Sequence, residues 1–231
     1  PDLPIKADAK EVMVELLDQL KDARPFEISS WLKRCKDWKL KYPIVLPEYK
    51  ECKDAVNSFY FIQVLSEKLD EKAVIITDMG TSFTCTMQTF KTKLGQRLST
   101  SSGHASMGFG LPGAIGACIG NNRKDTICIS GDGGLQMNIQ ELQTIVHYNL
   151  PIKLFVLNNN GYLTIKATQQ NHFGRFVGAE KSSGVTCPDI IKIAKAYGLP
   201  NTRIANTEEL NLKLDSVLQA TGPMVCEIIM E

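Results

Sequence analysis

The sequence predicts an α/β fold in which a doubly wound, mostly parallel sheet carries helices on both faces. Three observations lead to this prediction. Continuously apolar strand segments alternate with helical segments from about residue 57 onward. Three strands end in polar, glycine-containing turns, which have the sequences ITDMGTS, ISGDGG and LNNNGY. In a doubly wound sheet, ligands bind outside the carboxyl ends of the strands, where these turns lie.

Length and composition are those of an ordinary globular chain. The 231 residues are 43% hydrophobic and 22% charged, which suits one large α/β domain with a sizeable core. A formal net charge of +1 gives no reason to expect nucleic acid or an anionic membrane as a partner. No apolar run approaches the roughly 20 residues that cross a bilayer. Seven cysteines without a CxxC pair indicate reduced thiols and a cytoplasmic protein.

The first part of the chain differs from the rest. Residues 8–20 and 27–43 have apolar positions at helical spacing, but no strand accompanies these two helices. The chain also begins without an initiator methionine, which suggests a piece of a longer protein. We therefore predict that residues 1–55 are the tail of a preceding domain plus a linker, and that residues 56–231 form the sheet domain.

Within the sheet domain, the elements follow from two kinds of apolar pattern. Apolar residues recur at helical spacing in some segments, and they run continuously in others, as in a parallel strand buried on both faces. The helices are predicted at residues 57–69, 81–90, 108–119, 137–149, 188–197 and 207–220. The strands are predicted at residues 73–78, 97–101, 126–130, 151–158, 202–206 and 223–230. The pattern assigns no element to residues 159–187.

The turn after strand 126–130 combines glycines with a carboxylate. Gly131, Gly133 and Gly134 permit tight backbone geometry, and the following helix can direct N–H groups at an anion. Asp132 places a negative charge where a phosphate would bind. A cation between the two charges removes this repulsion, and Mg²⁺ binds one or two carboxylates together with phosphate oxygens. The turn therefore predicts a metal-bridged diphosphate.

A second turn, Asn158–Gly161, supplies neutral oxygen ligands. Between Gly133 and Asn158 lie 24 residues, which accommodate one helix and one strand. We therefore expect the two turns to be neighbours at one edge of the sheet. The amide oxygen of an asparagine and the carbonyl of Gly161 are hard ligands that suit Mg²⁺. Each turn alone is a common loop sequence, whereas the pair at this spacing is far more specific.

The same two turns carry a family resemblance. GDG, followed by about 25 residues and NN, is the cofactor fingerprint of thiamin-diphosphate-dependent enzymes. The segments SSGHASMGFGLPGAIGA and GDGGLQMNIQELQTIVHYNLPIKLFVLNNNGY resemble the acetolactate synthase and pyruvate decarboxylase branch. The similarity extends from roughly residue 75 to residue 230. The opening PDLPIKADAKEVMVELL and WLKRCKDWKLKYP resemble the end of the central domain of that family.

The resemblance implies a magnesium and diphosphate site. Asp132, the Asn159 side chain and the Gly161 carbonyl match the magnesium ligands of the family. The backbone N–H groups of Gly133 and Gly134 match the groups that contact the diphosphate. The residues expected to bind the cofactor in these two turns are Gly131, Gly133, Gly134, Asn159, Gly161 and Tyr162.

The resemblance also implies a site for the reactive end of thiamin diphosphate. Met107 matches the bulky residue that lies under the thiazolium and holds the cofactor bent. The carbonyl of Ala105 matches the acceptor of the pyrimidine 4′-amino group. His104 is the candidate catalytic acid or base of this chain. His172 and Arg175 are weaker candidates for an anion-binding lid over the substrate, against an ordinary surface loop.

The family context implies that the chain works with groups outside it. The glutamate that activates the pyrimidine belongs to a pyrimidine-binding domain, expected in the missing N-terminal part and contributed by a partner subunit of a homodimer or homotetramer. The isolated chain is then expected to be inactive. FAD is possible in the full-length protein, because most of the flavin site of the resembling synthases lies in the central domain.

Two departures from the family leave the reaction open. An ungapped match places Thr168 where acetolactate synthases have a tryptophan, and Ile165 where pyruvate decarboxylases have a glutamate. The first hypothesis is a carboligase that decarboxylates a small 2-keto acid and transfers the resulting unit to an acceptor carbonyl. The second is a non-oxidative 2-keto-acid decarboxylase. The third is a non-catalytic cofactor-binding module.

Overall fold

The computed structural model describes residues 2–23 and 26–231, and the chain divides into two compact units. The first unit, Pro1–Pro43, contains helices α1 (Ala9–Gln19) and α2 (Ser29–Lys41), both expected from the sequence. The second unit, Ile44–Glu231, contains every strand of the described chain. The division into residues 1–55 and 56–231 stays a prediction about domains.

The second unit is built on a six-stranded sheet in which every pairing is parallel, and this confirms the predicted fold class. The strands lie in the order β2-β1-β3-β4-β6-β5. Their bounds are β1 Val74–Thr77, β2 Arg97–Ser99, β3 Thr126–Gly131, β4 Ile152–Asn158, β5 Asn201–Ile204 and β6 Met224–Ile229. The chain leaves β1 toward β2 and returns to β3 on the other side of β1, so β1 and β3 flank a topological switch point.

Helices cover both faces of this sheet. They are α3 Ser58–Lys68, α4 Thr81–Thr89, α5 Gly110–Gly120, α6 Asp132–Met137, α7 Leu142–Tyr148, α8 Leu163–Phe173, α9 Ile190–Ala196 and α10 Thr207–Gln219. Short 3-10 turns lie at Pro47–Lys50, Ile139–Glu141 and Lys181–Ser183. No helix of residues 2–23 and 26–231 has the length and apolar character needed to cross a membrane.

Successive strand residues point into two separate hydrophobic cores. In β1, Val74 and Ile76 pack into the core formed with α5, α6, α7 and α9, whereas Ile75 packs into the core formed with α3, α4 and α10. This alternation buries all four residues of β1, which explains the continuous apolar runs. All seven cysteines lie in described parts of the chain as free thiols, and four of them are buried.

Two elements differ from the prediction. The range 137–149, predicted as one helix, instead contains a 3-10 turn (Ile139–Glu141) followed by α7, and a separate short helix, α6, precedes it and ends at Met137. The Asn138 backbone leaves the helical conformation (φ −138°), and its side-chain amide donates to the carbonyl of Gly108 at 2.8 Å. Helix α8 was not predicted, and the segment with His172 is therefore helical rather than a surface loop. Its large apolar residues, Leu163, Ile165 and Phe173, do not recur at helical spacing, so the sequence gives no amphipathic pattern to detect.

The amino-terminal edge of the sheet holds a buried lysine. Lys153 is 1% exposed, and its ammonium donates to the carbonyls of Ala220 and Gly222, each at 2.6 Å. A third acceptor, Asp125, lies 3.4 Å away. These bonds join β4 to the segment that follows α10.

We predict that Lys153→Met destabilises the second unit by about 1–3 kcal/mol, because two carbonyls lose a charged donor. The methionine retains the apolar stem, so the change reports the lost bonds rather than a cavity. Urea unfolding of the variant measures the effect. The exposed Lys72, replaced in the same way, is the matched control, and equal losses in both variants would contradict the prediction.

Candidate functional site

The three polar turns meet at one edge of the sheet. β1, β3 and β4 are neighbours, and each ends at the same edge because all pairs are parallel. Asp78, Asp132 and Asn159 therefore follow three adjacent strand ends. The expectation that the GDGG and NNNG turns are neighbours is confirmed by a hydrogen bond between them, from the Gly161 N–H to Asp132 Oδ2 at 3.0 Å.

Asp132 is a buried carboxylate held by backbone donors. It is 1% exposed, and its Oδ1 accepts from the N–H of Gly133 at 2.8 Å. Burial raises the pKa of Asp132, while hydrogen bonds from the backbone of Gly133 and Gly161 act in the opposite direction. The thiol of Cys187 lies beside it, and burial together with the Asp132 charge raises the pKa of that thiol to about 11. The site thus holds an acidic group that its hydrogen bonds do not fully stabilise as an anion.

Asn159 contributes a second oxygen atom. Its Oδ1 is buried and finds no hydrogen-bond donor within the described chain. An amide oxygen buried in this way loses the bonds it makes in water unless another group binds it. The neighbouring Asn160 adopts a left-handed conformation (φ 58°), and the Gly161 backbone has φ 146°. An L-residue rarely adopts the latter value, so the turn requires glycine there.

Close packing fixes the glycines of the GDGG turn. A Cβ on Gly133 would lie 2.3 Å from Cε1 of Tyr162, and one on Gly134 would lie 2.6 Å from Oδ2 of Asp78. A Cβ on Gly161 would lie 2.5 Å from the carbonyl oxygen of Ala179. None of these three glycines can therefore carry a side chain unless the group beside it moves. Gly131 has open space around its Cβ position, so packing does not require glycine there.

A cavity of about 60 Å³ lies over these turns, and most of the predicted site residues line it. Met107 is one of them, and its side chain is 40% exposed. His104 and Ala105 are exposed residues of the preceding loop and do not line this cavity. The predicted residues in the lining are Met107, Gly131, Asp132, Gly133, Gly134, Asn159, Gly161 and Tyr162.

Several residues that line the cavity were not among the predicted cofactor or metal ligands. Met79, Gly80 and Thr81 reach the cavity from the end of β1, and Leu163, Thr164 and Ile165 reach it from the start of α8. The apolar strand AVIITD and the turn after it were a detectable signal for the first group. Helix α8 gave no pattern that would have predicted the second.

An ion pair between a buried glutamate and an exposed arginine supports the asparagine turn from the neighbouring strand. Glu227 of β6 is 1% exposed, and it accepts from Nδ2 of Asn158 at 2.7 Å and from Nε of Arg203 at 2.6 Å. The side-chain oxygen of Asn158 in turn accepts from the N–H of Asn160 at 3.0 Å. The shape of the turn that carries Asn159 therefore depends on residues about 45 and 70 positions later in the chain.

A larger cavity of about 800 Å³ lies at the opposite, amino-terminal edge of the sheet. Lys68 and Asp215 pair across its wall, and Lys153 is saturated with acceptors. It contains none of the strand-end turns. We therefore assign the candidate site to the smaller cavity on the chemistry of its residues rather than on size.

The oxygen atoms at the carboxyl edge of the sheet fit a hard divalent cation. They are the buried carboxylate of Asp132, the buried amide oxygen of Asn159, which has no hydrogen-bond partner among the described residues, and the backbone carbonyl of Gly161. Oxygen ligands of this kind suit Mg²⁺. Among residues 2–23 and 26–231, no cluster of three or more His, Cys, Asp or Glu side chains is positioned to hold a metal. The fit therefore favours a cation that also takes ligands from a bound anion.

We predict that Gly133→Ala destabilises the second unit by about 1–3 kcal/mol, because its methyl group overlaps the ring of Tyr162. Helix propensity alone would favour alanine by about 1 kcal/mol, so a loss of stability isolates the steric contact. Thermal and urea unfolding give the measurement. Gly116→Ala in α5, where the Cβ position is open, is the control and is expected to be neutral or stabilising. Equal stability changes in the two variants would argue against this packing.

Comparison with known proteins identifies similar sequences. The model of the family "Thiamine pyrophosphate enzyme, C-terminal TPP binding domain" matches residues 78–228, which is more than half of the chain. An acetolactate synthase large subunit from Cyanidium caldarium is 34% identical over 236 residues, and one from Pyropia yezoensis is 35% identical over 231 residues. Acetolactate synthase 2, chloroplastic, from Nicotiana tabacum is 31% identical over 238 residues.

These alignments cover nearly all of this chain but a minor part of the relatives. They include 99% and 98% of the chain for the two algal proteins, and 39% and 38% of those proteins themselves. For the tobacco protein the shares are 99% and 35%. The chain therefore spans less than two fifths of the length of the curated relatives that it matches.

Proposed function

We propose a function from the premise that this chain belongs to the thiamine pyrophosphate enzyme family through its C-terminal TPP-binding domain. Its GDGG and NNNG turns bind Mg²⁺ and the diphosphate of thiamin diphosphate. The enzyme that carries it would be acetolactate-synthase-like. The observation that carries the proposal is the buried oxygen of Asn159, which has no hydrogen-bond donor among the described residues and lines the same cavity as the buried carboxylate of Asp132.

The metal would be held by residues of two adjacent strand ends. Asp132 is fixed by the N–H groups of Gly133 and Gly161, and each carboxylate oxygen keeps a lone pair for a cation. A cation at Asn159 Oδ1 would satisfy an atom that is otherwise desolvated without a partner. The cation would also favour the ionised form of Asp132, which the burial of this carboxyl group disfavours.

The diphosphate would approach the backbone of the glycines that line the cavity. The packing of Tyr162 and Asp78 against Gly133 and Gly134 keeps side chains away from that backbone. The Gly133 N–H donates to Asp132 Oδ1, so its predicted contact with the diphosphate requires this bond to weaken or be shared. Mg²⁺ between Asp132 and the anion would remove the repulsion between their charges.

A second wall of the site would come from another domain. A cavity of about 60 Å³ is far smaller than the roughly 300–1,000 Å³ of a typical ligand pocket. When bound, thiamin diphosphate supplies a nucleophilic carbon and an electron sink for cleavage next to a keto group. Met107 would support the reactive ring from this side, and the pyrimidine-binding domain of a partner subunit would cover the other side.

The side chains facing this space favour transfer over simple decarboxylation. A decarboxylase completes its cycle by protonating the product, which requires a positioned acid. An ungapped match to the family puts Ile165 where pyruvate decarboxylases have a glutamate, and Met79 and Leu163 are further apolar residues of the lining. We therefore favour a carboligase that passes the unit from a 2-keto acid to an acceptor carbonyl. A cytoplasmic location, an FAD requirement and a homodimeric or homotetrameric state remain predictions.

The metal site is tested by calorimetric titration of thiamin diphosphate into the full-length protein, with and without Mg²⁺. We expect Asp132→Ala to lose Mg²⁺-dependent binding by more than the roughly 10–100-fold that an outer-shell change produces. Asn159→Ala is expected to weaken it in the same direction. The residue next to it provides the matched control, since Asn160→Gly keeps the left-handed backbone and removes an exposed side chain.

Two results would contradict the metal bridge. Asp132→Ala could bind the cofactor with unchanged affinity and unchanged dependence on Mg²⁺, as a module that uses another anchor would. Asn160→Gly could instead lose as much affinity as Asn159→Ala, which would indicate a general disturbance of the turn rather than the loss of a ligand.

The reaction is tested by supplying pyruvate to the full-length protein with Mg²⁺ and thiamin diphosphate and identifying the product. Acetolactate is the expected product of the carboligase, because a second pyruvate carbonyl can act as the acceptor. Acetaldehyde would instead indicate the decarboxylase. If cofactor binds tightly but neither product forms from pyruvate, the proposed reaction with this keto acid is wrong.

A further inference from the structure

Asp78 is a buried carboxylate at the end of β1 that the proposed site does not use as a ligand. It is 1% exposed, and none of the ion pairs among the described residues involves it. Its Oδ1 accepts from the N–H groups of Met79 at 2.8 Å and Gly108 at 3.0 Å. Its Oδ2 accepts from the hydroxyl of Ser130 at 2.8 Å. Hydrogen bonds from neutral donors therefore stabilise this carboxylate.

These bonds join three segments of the site. Met79 belongs to the turn after β1, Ser130 precedes the GDGG turn on β3, and Gly108 follows Met107 in the loop before α5. The Gly108 peptide is held on both sides, since its carbonyl accepts from Nδ2 of Asn138 at 2.8 Å. Gly108 is buried in a left-handed conformation (φ 82°), which glycine adopts readily.

Close contacts make the arrangement sensitive to the size of the group at position 78. A Cβ on Gly110 would lie 2.9 Å from the Asp78 Cβ, and one on Gly134 would lie 2.6 Å from its Oδ2. The first glycine begins α5, which follows the Met107 loop, and the second belongs to the GDGG turn. Asp78 thus contacts both at once.

We infer that Asp78 is a positioning residue that fixes Met107 relative to the GDGG turn. This inference rests on the proposed function, in which Met107 supports the reactive ring and the GDGG turn binds the diphosphate. A cofactor anchored at one end and supported at the other keeps its bend if the distance between the two supports is fixed. The bend places the pyrimidine nitrogen near the C2 proton that it removes, and small displacements strongly reduce such proximity effects.

The test compares cofactor binding with the exchange of the C2 proton of bound thiamin diphosphate for deuterium, in the full-length protein with Mg²⁺. Asp78→Ala leaves the buried Gly108 N–H without its acceptor. We expect C2 exchange to fall by about 100-fold, while cofactor affinity falls by less than about tenfold. Ser130→Ala removes one bond and is expected to give a smaller decrease.

Asp78→Asn is the conservative rescue. Its amide oxygen can still accept from both N–H groups, and its NH₂ can donate to Ser130, whose hydroxyl then donates to the Gly131 carbonyl 3.3 Å away. We expect exchange within about threefold of wild type. Ser66→Ala, which removes a buried hydroxyl bonded to the Gln63 carbonyl in α3, controls for general destabilisation.

The outcomes separate this inference from the function on which it rests. If wild type binds and exchanges, and Asp78→Ala exchanges equally fast, the positioning role is overturned and the proposed function stands. Exchange in Asp78→Asn as slow as in Asp78→Ala also overturns it. If Asp78→Ala does not fold, exchange in Ser130→Ala as fast as in wild type overturns it instead. A wild-type protein that neither binds nor exchanges the cofactor overturns both proposals.

Discussion

The burial of the Asp132 carboxylate between two strand ends is the constraint on which the rest of the site depends. A charged group removed from water needs donors or a cation close by, and Asp132 draws its donors from its own turn and from the turn after the next strand. The parallel pairing of β3 with β4 brings these turns to one edge. Burial still raises the pKa of Asp132, so the backbone N–H groups do not fully offset the cost of burying its charge. A divalent cation close by can offset the rest.

The same edge is arranged so that backbone, rather than side chains, faces the site. Tyr162 covers Gly133, and the Ala179 carbonyl lies against Gly161, so each of these glycines is required by a contact made from outside its own turn. A larger residue would have to displace an aromatic ring in one case and a peptide in the other. The turns are therefore restricted in sequence by their neighbours as much as by the ligand that they are proposed to bind.

The sequence predicts those features that depend on residues close together in the chain. The strands and the turns with Asp132 and Asn159 were predictable because apolar runs and turn residues are local signals. The end of α6 at Asn138 was not, because the Asn138 side chain bonds to Gly108, 30 residues away. Asp78 was visible as a polar strand end, yet its three bonding partners are revealed by the folded chain alone. The apolar residues of helix α8 do not recur at helical spacing, so periodicity had nothing to detect.

The bond between Glu227 and Asn158 has a consequence for how the site forms during synthesis. The two residues are 69 positions apart, and β4 pairs with β6, which is made long after β4 itself. Asp132, Asn159 and Gly161 can all have left the ribosome while the strand that shapes the asparagine turn is still absent. Contacts of such long sequence separation form slowly and late in folding. The nascent chain thus contains every proposed metal ligand before the strand that shapes one of their turns has been made.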